Sequence, residues 1–136
     1  MIEGIIVFSA GGEEFAVDLQ QVPVITKADN YFSDNPFANG INPVINFDNR
    51  QIELIDIHRE LDLEFPGINI NSRIVLFERG FDYFGIIADE IKYILNIDYK
   101  SLPEEKSESF GFVREIHYGA SVYKMLNLNL MTVRQS

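Results

Sequence analysis

The chain has 136 residues, 46% hydrophobic and 24% charged, which is apolar mass enough for one ordinary domain or two very small ones sharing a core. Its formal net charge of −10 repels phosphate backbones and anionic lipid, so neither nucleic acid nor direct membrane contact is expected, although excess acid also serves solubility. There is no Cys, which excludes disulfides, thiolate zinc sites, iron–sulfur clusters and Cys nucleophiles.

Taken along the chain, short β-type runs dominate. Ile5-Ile6-Val7-Phe8 is too short for a secretory h-region and has no basic flank, and nothing approaches the length of a bilayer span, so a cytoplasmic location is expected. That run, Gly11-Gly12 and Phe15-Ala16-Val17 predict a strand, a glycine turn and a returning strand. Asp18 to Ile25 predicts one helical turn ended by Pro23, which lacks the N–H that a helix interior needs. Asp29 to Pro43 is rich in Asn, Asp, Gly and Pro and predicts a loop. Gln51 to Ile57 predicts a strand, and Ile57 to Leu63 a second short helix. Arg73 to Glu78, closed by Arg79-Gly80, predicts a strand answered by Phe84 to Ala88. Ser101 to Ser109 is charged and polar and predicts an exposed or mobile connection, and Tyr123 to Leu128 a last strand.

The order of these runs repeats. A shift of 69 residues lays Ile6-Val7-Phe8 on Val75-Leu76-Phe77, Gly11 on Gly80, Phe15 on Phe84, Val22 on Ile91 and Ile25 on Ile94. A shift of 71 lays Ile45 on Ile116, Phe47 on Tyr118, and Leu54-Ile55-Asp56-Ile57 on Met125-Leu126-Asn127-Leu128. Each half carries the plan hairpin, helical turn, loop, strand, so duplication explains the pattern better than shared composition. The fold class expected is all-β: two small five-stranded barrels, with repeat halves of roughly 1–68 and 69–136 whose boundaries can interleave, packed on a shared core. Ile6, Phe8, Phe15, Val17, Ile52, Leu54, Ile74, Leu76, Phe84, Ile86, Leu126 and Leu128 are the expected core.

Chemistry is hard to find. His58 and His117 have no partners in a metal-ligand spacing and are expected to be structural. Asp18, Asp56, Asp89 and Glu90 each follow an apolar run; a carboxylate pair for acid–base work can be drawn from them, but acids at such places mark strand ends and helix caps. Phosphate-cradling, nucleophile-elbow and metalloprotease motifs are all missing, and Gly11-Gly12 has neither the following helix nor the Lys of a phosphate loop. No catalytic residue, cofactor or metal is expected, which leaves binding as the default function.

The strand order and repeat resemble the CheW-like domain family over nearly the whole chain. Ile6-Val7-Phe8 with Gly11-Gly12-Glu13-Glu14-Phe15-Ala16-Val17-Asp18 is similar to the family's first hairpin. Pro43-Val44-Ile45-Asn46-Phe47-Asp48-Asn49, followed by Gln51 to Ile57, is similar to its central G-V-I-N-L-R-G motif and the strand ending in I-D-L. Phe84 to Ile91, Phe112 to Ile116 and Met125 to Leu128 resemble later segments. The resemblance implies two five-stranded SH3-like barrels in a single CheW-like domain. It further implies a non-catalytic adaptor of bacterial chemotaxis signal transduction, coupling chemoreceptor cytoplasmic tips to a CheA-type histidine kinase. The departures are specific: the motif's first Gly is Pro43, its Arg is Asp48, its second Gly is Asn49, and an acid expected after the helical turn is Val24. By resemblance the partner-binding surface includes Val22, Val24, Asn46, Phe47 and Asp48. Two rivals stand beside this reading: a CheW-like docking domain of another sensory or motility pathway, and a small β-barrel enzyme built on two carboxylates.

Overall fold

The structure of the chain, a computed structural model, describes residues 4–102, 104–106 and 113–131. Its strands are β1 Ile5–Ala10, β2 Glu13–Asp18, β3 Val24–Lys27, β4 Val44–Phe47, β5 Arg50–Ile55, β6 Arg73–Arg79, β7 Asp82–Ala88, β8 Glu90–Leu95, β9 Glu104–Lys106, β10 Val113–Tyr118 and β11 Ser121–Leu126. A one-turn helix, α1, covers Ile57–Glu60, and 3-10 turns cover Leu19–Gln21, Ala28–Asn30, Tyr99–Ser101 and Leu128–Leu130. Among the described residues no helix is long and apolar enough to cross a membrane.

Three sequence expectations need correction. The turn after Asp18 ends at Gln21, and Val24 already belongs to β3: Pro23 stops the helical hydrogen bonding, and Val24-Ile25-Thr26 is β-branched throughout. The helix begun at Ile57 stops at Glu60, because Asp62 turns left-handed at φ 56°. The stretch Ser101 to Ser109 is more than a connection, since β9 within it pairs antiparallel with β10; Pro103, residues 107–109 and Phe112 lie outside the described residues.

The strands form two sheets, ordered β8-β1-β2-β11-β10-β9 (sheet A) and β3-β6-β7-β5-β4 (sheet B). Apart from β9, each sheet has five strands, and the repeat shifts carry one order onto the other. Registers follow the same rule. Glu53 pairs with Phe84 and Leu54 with Gly85 in sheet B, while their equivalents Lys124 and Phe15, Met125 and Ala16, pair in sheet A. The Phe8–Phe15 rings lie 6.1 Å apart at 33°, and Phe77–Phe84 lie 6.0 Å apart at 32°. The halves are interwoven: β1 and β2 share sheet A with β8, β10 and β11, whereas β6 and β7 of the second half sit in sheet B beside β3, β4 and β5.

Three apolar layers result. Between the sheets lie Ile6, Phe8, Phe15 and Val17 from one and Ile55, Val75, Phe77 and Ile86 from the other, joined by Leu126 and Leu128. The far face of sheet B carries Ile45, Ile52, Leu54, Ile74 and Leu76 with Phe37, and the far face of sheet A carries Ile5, Val7, Ile116, Tyr123 and Met125. Central strands covered on both faces explain why β1 and β6 read as unbroken apolar runs where half-buried strands alternate. Every expected core residue is buried except Phe84, which is half-buried against the middle layer.

Candidate functional site

All five strands of sheet B contribute to one groove of about 150 Å³, lined by Pro23, Val24, Phe47, Asp48, Arg50, Ile52, Leu76 and Tyr83. Its floor is Ile52 and Leu76, both buried; its walls are Val24 and Phe47, both half-buried. Val24 and Phe47 lie on the two opposite edge strands, so the sheet curls to bring them to the same groove. The rim is polar. The Arg50 guanidinium stands 4.3 Å over the Tyr83 ring, and the Tyr83 hydroxyl donates to the Glu78 carboxylate at 2.7 Å. That hydrogen bond, with some desolvation, raises the Tyr83 pKa above the ordinary phenol value.

Asp48 and Asn49 form the two-residue turn between β4 and β5, with φ of 51° and 62°. Two consecutive positive φ angles define the primed turn that suits a twisted hairpin, and Asx residues tolerate it best after Gly. Two of the motif departures therefore have a local cause: the sequence keeps the left-handed turn with Asp-Asn in place of Arg-Gly.

Of the five residues expected at a partner surface, Val24, Phe47 and Asp48 meet in this groove. The positions of the lost acid and the lost Arg, Val24 and Asp48, thus face the same space. Val22 does not join them; it follows the first 3-10 turn and packs against the layer between the sheets. Asn46 is exposed on β4, one residue from Phe47 and so on the other face. Sequence reasoning missed Pro23, Arg50 and Tyr83. Arg50 and Tyr83 are 33 positions apart, and only the β5–β7 parallel pairing, between strands of different halves, juxtaposes them.

The repeat places a counterpart face on sheet A, where Tyr93 replaces Val24, Tyr118 replaces Phe47 and Tyr123 replaces Ile52. There the space holds phenol rings: Tyr93 and Tyr123 pack edge to face at 6.5 Å with their hydroxyls 3.4 Å apart. The Tyr123 hydroxyl contact, then desolvation, then the charges of Tyr123 and Glu14, push the Tyr93 pKa up to about 12.

The acids weighed for catalysis have structural partners. The Asp18 carboxylate accepts the Gln20 N–H and the Tyr99 hydroxyl, the Asp56 carboxylate caps α1 at the Arg59 N–H, and Asp89 engages His58 and the Gly11 N–H. Glu90 is exposed on β8 with Lys92 beside it. Among the described residues no group of three or more His, Asp or Glu side chains could hold a metal ion.

The family model described as the CheW-like domain matches residues 4–131. Among solved structures, the scaffolding protein TtCheW from Thermoanaerobacter tengcongensis is similar in fold, with a TM-score of 0.75 and 23% identity over 94% of this chain and 86% of that one. No curated protein matches this sequence.

Proposed function

The chain belongs to the CheW-like domain family, and from that premise we propose that it is a cytoplasmic, non-catalytic adaptor of bacterial chemotaxis signalling that couples chemoreceptor tips to a CheA-type histidine kinase. The observation that carries this reading is the sheet B groove. An apolar floor and walls with a charged and aromatic rim is the anatomy of a protein interface, and Arg and Tyr are the residues that most often anchor one. Its occupant in this reading is a segment of a signalling partner that seats an apolar side chain between Val24 and Phe47.

One observation favours a second reading. The acid and the Arg of the family pattern are both gone from the same groove, where Val24 and Asp48 now stand. A partner matched to the usual pair meets one charge fewer and one reversed, so a kinase or receptor of another sensory or motility pathway is the alternative.

The test is direct capture by the purified chain of a CheA-type regulatory domain and a receptor-tip fragment. Phe47→Ala should weaken capture about tenfold, as loss of an interface anchor does. Asp48→Asn keeps the left-handed turn while removing the charge: it should slow association at low salt with a partner that presents a cation to Asp48 and speed it with a partner matched to the family's Arg, with little change in fold stability in either case. Full-strength capture by the Phe47→Ala protein would remove the groove from the interface. Capture of neither partner by the wild-type chain would leave the other-pathway reading.

A further inference from the structure

The outer face of sheet A carries a surface that has no part in the sheet B groove. Tyr93 on β8 pairs with Val7, Val7 with Ala16, and Ala16 with Met125, so these four lie in one row across the sheet. Val7, Ala16 and Met125 belong to the apolar layer on that face, together with Tyr123. Glu14 stands two residues before Ala16 on β2, and Tyr123 two before Met125 on β11. Both therefore share that face, side by side in the next row. Tyr118, two residues beyond Ile116 on β10, lies on it as well.

Tyr93 is 40% exposed and Tyr118 44% exposed, with Tyr123 buried at the edge of the Tyr93 ring. Charge around these rings is one-sided. The Lys124 ammonium is on the opposite face, over the Phe15 ring and 2.6 Å from the Glu13 carboxylate. Lys92 lies 3.9 Å from Glu90. Arg114, on the same face, lines a separate cavity with Asp18 and Tyr99. Glu14 is exposed and makes no hydrogen bond or ion pair among the described residues, and its charge acts on the Tyr93 phenol. The repeat sharpens the contrast. In sheet B the equivalent of Glu14 is Tyr83, whose ring is covered by the chain's own Arg50 guanidinium. In sheet A the equivalent of Arg50 is Ser121, which brings no cation to the rings.

We infer that the tyrosine face of sheet A is a second docking surface, on which an arginine side chain of a partner protein stacks on Tyr93 and pairs with Glu14. The face of a phenol ring is electron-rich, and a carboxylate beside it with no cation of its own completes a site for positive charge. A guanidinium suits both groups at once, because its plane stacks on the ring while its N–H groups donate to the carboxylate. This surface stands apart from the groove and does not depend on what the groove takes.

A ¹⁵N-correlation NMR titration of the full chain with the probe peptide acetyl-Gly-Arg-Gly-Arg-Gly-amide tests this. The same peptide with citrulline, which has the shape of arginine and no charge, is the control. The arginine peptide should give saturable shifts centred on the Glu14, Tyr93 and Tyr123 amides with a Kd of about a millimolar, and the citrulline peptide should give none. Tyr93→Leu leaves the net charge unchanged and should weaken binding about threefold, the scale of an exposed cation–π contact. Glu14→Gln alters only an exposed side chain, so it keeps the fold, and it should weaken binding at least as much. Asp34→Asn removes an equal charge from the exposed loop before β4 and should leave binding unchanged. No saturable shift at the three amides, equal shifts with both peptides, equal losses from Asp34→Asn and Glu14→Gln, or full-strength binding by the Tyr93→Leu protein would each overturn the surface.

Discussion

Phe15 and Phe84 occupy the same place in the repeat and tilt on partner rings in the same way, yet Phe15 is buried and Phe84 is half-buried beneath the Arg79 guanidinium, 5.9 Å from its ring. Phe15→Ala should therefore cost about 3–5 kcal/mol in urea unfolding, and Phe84→Ala about 1–3 kcal/mol. Equal losses would mean that the two sites have the same burial. The Tyr93 phenol, pushed up to about 12, gives a second test at this scale. Its folded pKa lies above the unfolded value, so its contribution to stability is intact below the ordinary phenol value of 10.0 and is lost as pH rises through about 12. Tyr123→Phe should return Tyr93 toward 10 in a tyrosinate absorbance titration, and an unmoved midpoint would assign the shift to desolvation alone. Residue identity forecast the core well because apolar β-branched and aromatic side chains have few other places to go. It forecast the groove poorly: Asn46 and Phe47 are neighbours in sequence but face opposite ways, and the pairing of Arg50 with Tyr83 has no local signal.

Strands are legible from their own residues; their partners are not. The hairpins announced themselves through Gly11-Gly12 and Arg79-Gly80, where a short-range turn dictates an antiparallel neighbour. The parallel pairs β2–β11 and β5–β7 join segments far apart in the chain, and nothing in either strand names the other. Strand β9 was missed because Glu-Glu-Lys has low strand propensity; its pairing with the edge strand β10 decides its conformation. The two glycine tips give a prediction for their elements. Both Gly11 and Gly80 have positive φ, 58° and 65°, so an Ala at either pays the left-handed penalty of about 1–2 kcal/mol. Only at Gly11 does the added methyl also strike Leu63. In thermal unfolding Gly11→Ala should lower Tm clearly more than Gly80→Ala, and an equal or reversed order would show that the β1–β2 tip is not packed as described.

For the whole molecule, the internal repeat could be seen by sliding the sequence along itself, and the two five-stranded barrels expected from it appear as two five-stranded units of the same strand order. What the slide could not give was the exchange of strands between halves. Sheet A takes β1 and β2 from the first half and β8, β10 and β11 from the second, while sheet B takes the reverse set. Residues 1–68 alone thus lack a partner for the outer side of β1 and for β2 beyond the hairpin, and they lose one wall of the layer between the sheets. That fragment should show little ordered near-ultraviolet circular dichroism by itself. Mixed with residues 69–136, it should regain the native signal with a dependence on concentration. A fragment that folds alone as a monomer would contradict the interwoven sheets.

The same exchange bears on ancestry. A half-length chain with this plan cannot satisfy its own strand edges, and it closes only by trading strands with a second copy around a twofold axis, as in a domain-swapped dimer. Joining two such copies through the stretch from Leu61 to Ser72 replaces that encounter with an effective concentration set by the tether, on the order of millimolar for a short flexible one. Fusion also frees the two copies to diverge. One groove position could then fill with tyrosines while the other stayed open, which a dimer of identical chains cannot do.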